Sequence, residues 1–204
     1  MNQKIKIKNK GTKVLFTNPV LERLTRTNSA VPVSLFCLLS VLLTFHAVTN
    51  VGIAAHTTAV LFVSGFLFFT LLEYLAHRYF FHMETSTKIR ARIQYAVHGL
   101  HHEYPKDKER LAMPPFMALI YAGIFYLVFL LILGELVYAF LPGILLGYAT
   151  YLFVHYIVHA CQPPKNFLKV LWIHHGIHHY KDHTVAFGVS SPLWDYVFRT
   201  MPSR

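Results

Sequence analysis

The chain has 204 residues, 54% of them hydrophobic and only 14% charged, with a mean hydropathy of +0.42. That balance argues against a soluble domain and suits a protein that crosses a membrane several times. The formal net charge of +10 would suit a nucleic-acid binder, but its N-terminal run precedes an apolar stretch, so no nucleic-acid partner is expected.

Residues 1–30 form a basic segment carrying Lys4, Lys6, Lys8, Lys10 and Lys13. It reads either as a contact for anionic lipid headgroups or as a solvated tail that fixes orientation. No short apolar core with a small-residue cleavage site precedes residue 31, so the stretch that follows is expected to be retained as a span. Residues 31–48 and 51–72 contain no Asp, Glu, Lys or Arg, and each approaches the roughly 20 residues a bilayer-spanning helix needs. Residues 49–52 turn this first hairpin. His46 and His56, isolated in apolar surroundings, read as packing residues.

The next features are histidines. His77 and His82 follow the second span; five residues apart, they lie about 140° apart on an ideal helix, so they should reach different ions or mark a place where the helix unwinds. His98-x-x-His101-His102 is a fork: rings three or four residues apart share a helix face, and adjacent ones diverge by about 100°. One such fork can therefore serve two metal centres. Pro114-Pro115 should end the intervening loop and open the next helix. Residues 116–133 and 136–158 form a second apolar hairpin turned at Gly134-Glu135, and His155 and His159, at i and i+4, are spaced as a chelating pair. Cys37 and Cys161 form no disulfide or CxxC framework, and Cys161 reads as a small core residue.

The fork returns at His175, His178 and His179. Ten of the chain's 14 histidines thus fall in four groups, more imidazole than one ion can use. Packing gives no reason for a repeated three-histidine fork, so the ten are read as ligands of a dinuclear site. Asp182 and Asp195 are candidate carboxylates for orienting imidazole tautomers. His174 and His183 flank the second fork as further candidates for hydrogen bonds to ligands or substrate. Trp172, Tyr180, Trp194 and Tyr196 could line an acyl entrance or simply occupy the membrane interface. No repeat or linker divides residues 31–204, which read as one membrane-embedded domain.

All 19 Lys and Arg fall before the first span, between the second and third, or after the fourth. The positive-inside rule then places residues 1–30, 73–115 and the C-terminal segment on the cytoplasmic side, with every histidine group beside or within them. A site there, just outside the hydrocarbon, would meet carbon atoms close to a lipid headgroup rather than a terminal methyl. Imidazole suits zinc, copper, iron and nickel alike. Zinc would imply hydrolysis by a metal-bound hydroxide, as in an amidase or esterase; two irons could instead activate dioxygen with external electrons. HExxH is absent. Metal transport is disfavoured, since no chain of polar residues crosses the spans.

The stretches Glu73-Tyr-Leu-Ala-His-Arg-Tyr-Phe-Phe-His82, His98-Gly-Leu-His-His102, Arg110-Leu-Ala-Met-Pro-Pro115, His175-Gly-Ile-His-His179 and Phe187-Gly-Val-Ser-Ser-Pro-Leu-Trp-Asp-Tyr-Val-Phe198 closely resemble fatty acid 2-hydroxylases, a branch of the fatty acid hydroxylase and sterol desaturase superfamily. The resemblance implies an all-α integral membrane enzyme with four transmembrane helices and a cytosolic helical cap holding a dimetal centre, in a bacterial inner membrane or the endoplasmic reticulum. It implies dioxygen-dependent hydroxylation of C2 of a fatty acyl chain, usually of a sphingolipid such as ceramide. It also implies the ligands His77, His82, His98, His101, His102, His155, His159, His175, His178 and His179. Two irons are the ions the reaction needs, although zinc occurs in isolated members. Many relatives begin with a cytochrome b5 domain, which 30 residues cannot form, so a separate donor such as cytochrome b5 or ferredoxin with its reductase is expected. A carotenoid or sterol oxidase of the same superfamily is the alternative.

Overall fold

The computed structural model describes residues 6–203. Among these residues every regular element is helical and no strand occurs, in agreement with the all-α reading. In chain order the α-helices are α1 (Pro19–Leu24), α2 (Ala30–Thr49), α3 (Ala55–Leu75), α4 (Lys88–Gln94), α5 (Leu100–Glu103), α6 (Pro115–Leu133), α7 (Val137–Ala160), α8 (Lys169–Tyr180) and α9 (Leu193–Val197). Local chemistry sets several starts. The Asn18 side chain accepts the N–H groups of Val20 and Leu21 ahead of α1, Thr87 accepts that of Arg90 ahead of α4, and Pro115 occupies the first turn of α6.

Three segments are long and apolar enough to cross a membrane: Ala30–Thr49, Ala55–Phe81 and the 53-residue Lys108–Ala160. The third contains both α6 and α7, joined by the 3-10 turn Gly134–Leu136. α7 is the central helix and packs along α2 and α3. Phe36, Phe69, Val137, Leu141, Ile144, Leu145 and Ala149 form the core between them. Elsewhere the long helices point large apolar side chains outward, for example Val41, Val60 and Leu131 at 65%, 65% and 88% exposure. Water would penalise each by about 1.5–3 kcal/mol relative to burial, so these faces are built for lipid.

The α3–α7 contact is close enough that their backbones touch. A Cβ on Gly65 would lie 2.1 Å from the Phe140 carbonyl oxygen, and one on Gly143 1.9 Å from that of Phe62. Only glycine permits this approach, which fixes the neighbouring ends of the two helices and hence the histidines they carry.

The basic N-terminal segment does more than orient the chain. Lys8 donates to Glu103 and to the Tyr104 hydroxyl, Lys13 lies over the Tyr95 ring, and Asn9 accepts from the Tyr180 hydroxyl. Arg110 pairs with Glu22 and bonds the Thr25 hydroxyl. The segment is therefore a strap over the histidine-bearing helices rather than a solvated tail, and Lys8 and Lys13 use their charge on protein partners. Lys4 lies outside the described residues. Cys161 is exposed, not the core residue expected, because it ends α7 in extended backbone. His56 is likewise exposed, while His46 packs edge-on against Tyr138 at 4.8 Å.

Candidate metal centre

Two non-standard helical turns set the geometry. α3 continues into a π-helical turn, Ala76–Phe81, in which the N–H of His82 reaches the carbonyl of His77. An i to i+5 turn is wider than an α-turn, so residues five apart come to one face. His77 and His82 accordingly join the same cluster: of the two expectations for this pair, a local unwinding of the helix holds, in the form of a π-turn, and separate ions do not. A second π-turn, Tyr95–Gly99, carries His98 directly into α5.

The forks divide as their spacing requires. One cage gathers His77, His82, His98, His102 and His178; the other gathers His101, His155, His159, His175 and His179. Within each cage five candidate ligand nitrogens lie within 4.8 Å of one another. The i, i+4 members of each fork share a cage and the remaining member crosses to the other. All ten histidines are buried except His82, which is partly so.

The tautomers can be read from the carbonyls. Nδ1 of His77 lies 2.5 Å from the Phe187 oxygen, Nδ1 of His155 lies 2.9 Å from that of Leu111, and Nδ1 of His178 lies 2.8 Å from that of Val185. A carbonyl only accepts, so each Nδ1 carries the hydrogen and each Nε2 presents a lone pair. Those Nε2 atoms then face other imidazole nitrogens: His77 to His98 at 3.0 Å, His155 to His101 at 2.9 Å, and His178 to His82 at 2.9 Å. His98 and His102 face at 3.0 Å and His159 and His175 at 2.8 Å. Single protons cannot serve five converging nitrogens. Two ligands at about 90° on a metal with bonds of about 2.1 Å would stand about 3.0 Å apart, which matches these separations. Both ring nitrogens of His179, and Nδ1 of His101 and His175, are buried with no hydrogen-bond partner. The residues present thus fit a metal in each cage.

Electrostatics agree. Burial, reinforced by neighbouring imidazoles, holds His98, His101, His102, His175 and His179 well below the ordinary imidazole value. It takes His82 down to about 3 and His178 to about 4. The rings are neutral at pH 7, the state that binds metal.

The remaining expected residues separate. Asp195 is fully buried and accepts from the backbone N–H groups of Phe187 and Gly188, the Thr200 hydroxyl and Nε2 of His174. Burial raises its pKa, but those four donors outweigh it and hold the carboxyl below the usual range. Asp195 and His174 therefore act on a loop, and neither bonds a caged imidazole. Asp182 is exposed and caps its own turn through the backbone N–H and hydroxyl of Thr184, so it orients no ligand. His183 is exposed and stacks on His82 at 6.0 Å. A cleft of ≈ 270 Å³ reaches His159, His175 and His179, with Trp172 and Tyr180 among its walls. Trp194 instead bonds Thr70, and Tyr196 is 77% exposed.

A family model for fatty acid hydroxylases matches residues 62–200, the span that holds both cages. The chain belongs to the fatty acid hydroxylase family. Among curated relatives, the fatty acid 2-hydroxylase of Rattus norvegicus is 41% identical over 145 residues, covering 69% of this chain and 39% of that protein. The ceramide very long chain fatty acid hydroxylase scs7 of Schizosaccharomyces pombe is 39% identical over 153 residues, covering 73% and 44%. The dihydroceramide fatty acyl 2-hydroxylase FAH2 of Arabidopsis thaliana is 39% identical over 139 residues, covering 68% and 59%. The chain thus spans about two fifths of the length of the rat relative. A solved structure of full-length scs7p, with only the hydroxylase domain visible, superposes with a TM-score of 0.87 at 34% identity over 95% of this chain and 74% of that one.

One residue beside the cages escapes a reading of histidines alone. Glu73, buried near the end of α3, accepts the N–H groups of Val189 and Ser190 and the Ser190 hydroxyl. Together with Asp195 it pins residues 187–190, next to the two carbonyls that fix His77 and His178. Its signal in the sequence was a carboxylate at the end of an apolar span, where a charge needs a specific partner.

Proposed function

We propose that this chain hydroxylates C2 of the fatty acyl chain of a membrane lipid, most simply a sphingolipid such as ceramide, using dioxygen at two irons. Electrons come from a separate donor such as cytochrome b5 or ferredoxin with its reductase. The observation that carries this reading is the sorting of ten imidazoles into two five-member cages in a chain whose relatives bear 2-hydroxylase names. The two irons, when bound, supply dioxygen activation with external electrons.

The chain's own residues supply position. Four spans, α2, α3, α6 and α7, hold the bundle in the bilayer, and the positive-inside bias puts the histidine end on the cytoplasmic side. Residues 31–204 act as one domain. His77 and His155 belong to the ends of α3 and α7, so the cages sit at headgroup depth, where a lipid anchored by its head presents C2 and not its terminal methyl. Holding that carbon against the cages is an orientational gain. Burial of the rings excludes water that would compete for the same positions.

A sphingolipid-producing host that expresses the chain should accumulate lipids carrying one added oxygen at C2, read by mass spectrometry. A His101→Ala, His178→Ala double variant, which removes one ring from each cage, should lose at least about tenfold of that product, since outer-shell changes alone cost about 10–100-fold. Oxygenation elsewhere on an acyl chain, or on a carotenoid or sterol, would contradict the C2 assignment. Turnover without oxygen or reductant would point to the hydrolytic reading.

A further inference from the structure

We infer that the two cages grip their metals unequally: the His77 cage is braced by one strained loop, and the His179 cage exchanges its ion through the cleft beside α8. This rests on the metal reading above and goes beyond it by assigning each cage a different job.

The brace is the loop 185–190. Ala186 has φ +58, a left-handed conformation that is costly for a residue with a Cβ and is held only where the surroundings insist on it. Its consequence is that the carbonyls on either side, Val185 and Phe187, both meet rings of the same cage, His178 and His77. The N–H of Ala186 bonds the Thr200 carbonyl. Asp195 takes the N–H groups of Phe187 and Gly188, and Glu73 those of Val189 and Ser190. Two buried carboxylates from different helices therefore fix one loop, and that loop fixes two imidazoles. Glu73 and Asp195 are positioning residues for this cage.

The other cage has one carbonyl-held ring in place of two, and no carboxylate-pinned loop behind it. Only His155 has its Nδ1 on a carbonyl, that of Leu111, while buried nitrogens of His101, His175 and His179 find no hydrogen-bond partner. His159, His175 and His179 also line the cleft. Gly176 lies in its wall, and a Cβ there would meet nothing within 4 Å, so the cleft beside this cage has room for a larger side chain. Each carbonyl partner of a ligating imidazole is worth roughly 10–100-fold in metal affinity; the difference between the cages should be of that order.

The test uses the full chain in detergent, loaded with zinc and challenged with an excess of a chromophoric chelator. Two equivalents should leave in two phases of equal amplitude, with rates at least about tenfold apart. Glu73→Ala should speed the slow phase about tenfold or more and leave the fast one unchanged. Glu73→Gln, whose amide oxygen still accepts both N–H groups, should restore the slow rate. His179→Ala should remove the fast phase, and Gly176→Phe, which fills the cleft, should retard it alone. A single phase of two equivalents, or loss of the slow phase in His179→Ala, overturns the inference while leaving the metal reading intact. Failure of the wild type to hold two equivalents overturns both.

Discussion

Acidification from pH 7 to pH 5 should melt the histidine end of this protein. Seven imidazoles outside the spans, His82, His98, His101, His102, His175, His178 and His179, have folded pKa values below the ordinary 6.5, with His82 at about 3 and His178 at about 4. The dominant cause is burial, which disfavours the charged ring. Between those values and 6.5 the unfolded chain binds more protons than the folded one, so stability rises with pH across that window. It is complete above 6.5 and is lost as pH falls toward the folded values. Each ring that takes up its proton only on unfolding contributes up to about 1.4 kcal/mol per pH unit, a large step against a typical 5–15 kcal/mol of stability. Bound metal adds to the trend with the same sign, because protons compete for the same nitrogens. Thermal melts in detergent from pH 7.5 to 4.5 should show a steep fall in Tm beginning near 6.5. A Tm that stays level to pH 4.5 would mean that the rings are not packed together as described.

Asp195→Ala should be the most damaging single change outside the ten histidines. The carboxylate is fully buried and accepts four hydrogen bonds. Truncation strands the N–H groups of Phe187 and Gly188 and Nε2 of His174 together, at a combined cost of about 3–5 kcal/mol, while the Thr200 hydroxyl keeps its bond to the Tyr74 hydroxyl. The loop then loses its hold on Val185 and Phe187, and through them on His178 and His77. Chemical denaturation should show a lowered midpoint with unchanged slope, accompanied by loss of 2-hydroxylated product. Because Asp195 has a depressed pKa, its stabilisation is present above the unfolded value of 3.8 and disappears only as pH falls through the lower folded value. The variant's deficit should therefore persist unchanged from pH 8 down to pH 6.5, above the range in which the imidazoles themselves destabilise the fold. Asp182→Ala is the control, since that exposed side chain only caps its own turn, and should be near neutral.

Much of this arrangement is visible in the residue order because two periodicities leave little freedom. Apolar stretches of bilayer length locate α2, α3, α6 and α7 to within a few residues, and an x-x-His-His fork must divide its rings between two directions. The five-residue spacing of His77 and His82 hints at a departure from α-helical pitch but does not choose between that and separate ions. The wider π-turn at Ala76–Phe81 is what puts His77 and His82 on one face. The partners of Glu73 and Asp195 were hidden for another reason. They are backbone N–H groups more than 100 residues away for Glu73, and backbone groups have no sequence signature. The strap formed by Lys8, Asn9 and Lys13 was concealed in the same way, since a run of lysines looks alike whether it meets lipid or Glu103.

We propose that each cage of five imidazoles holds one metal ion. An experimental structure of protein purified without chelators, with anomalous scattering or elemental analysis to identify the ions, tests it most directly. Two ions per chain are predicted, one among His77, His82, His98, His102 and His178 and the other among His101, His155, His159, His175 and His179. Rings turned away from one another, or a single ion bridging both sets, would contradict it.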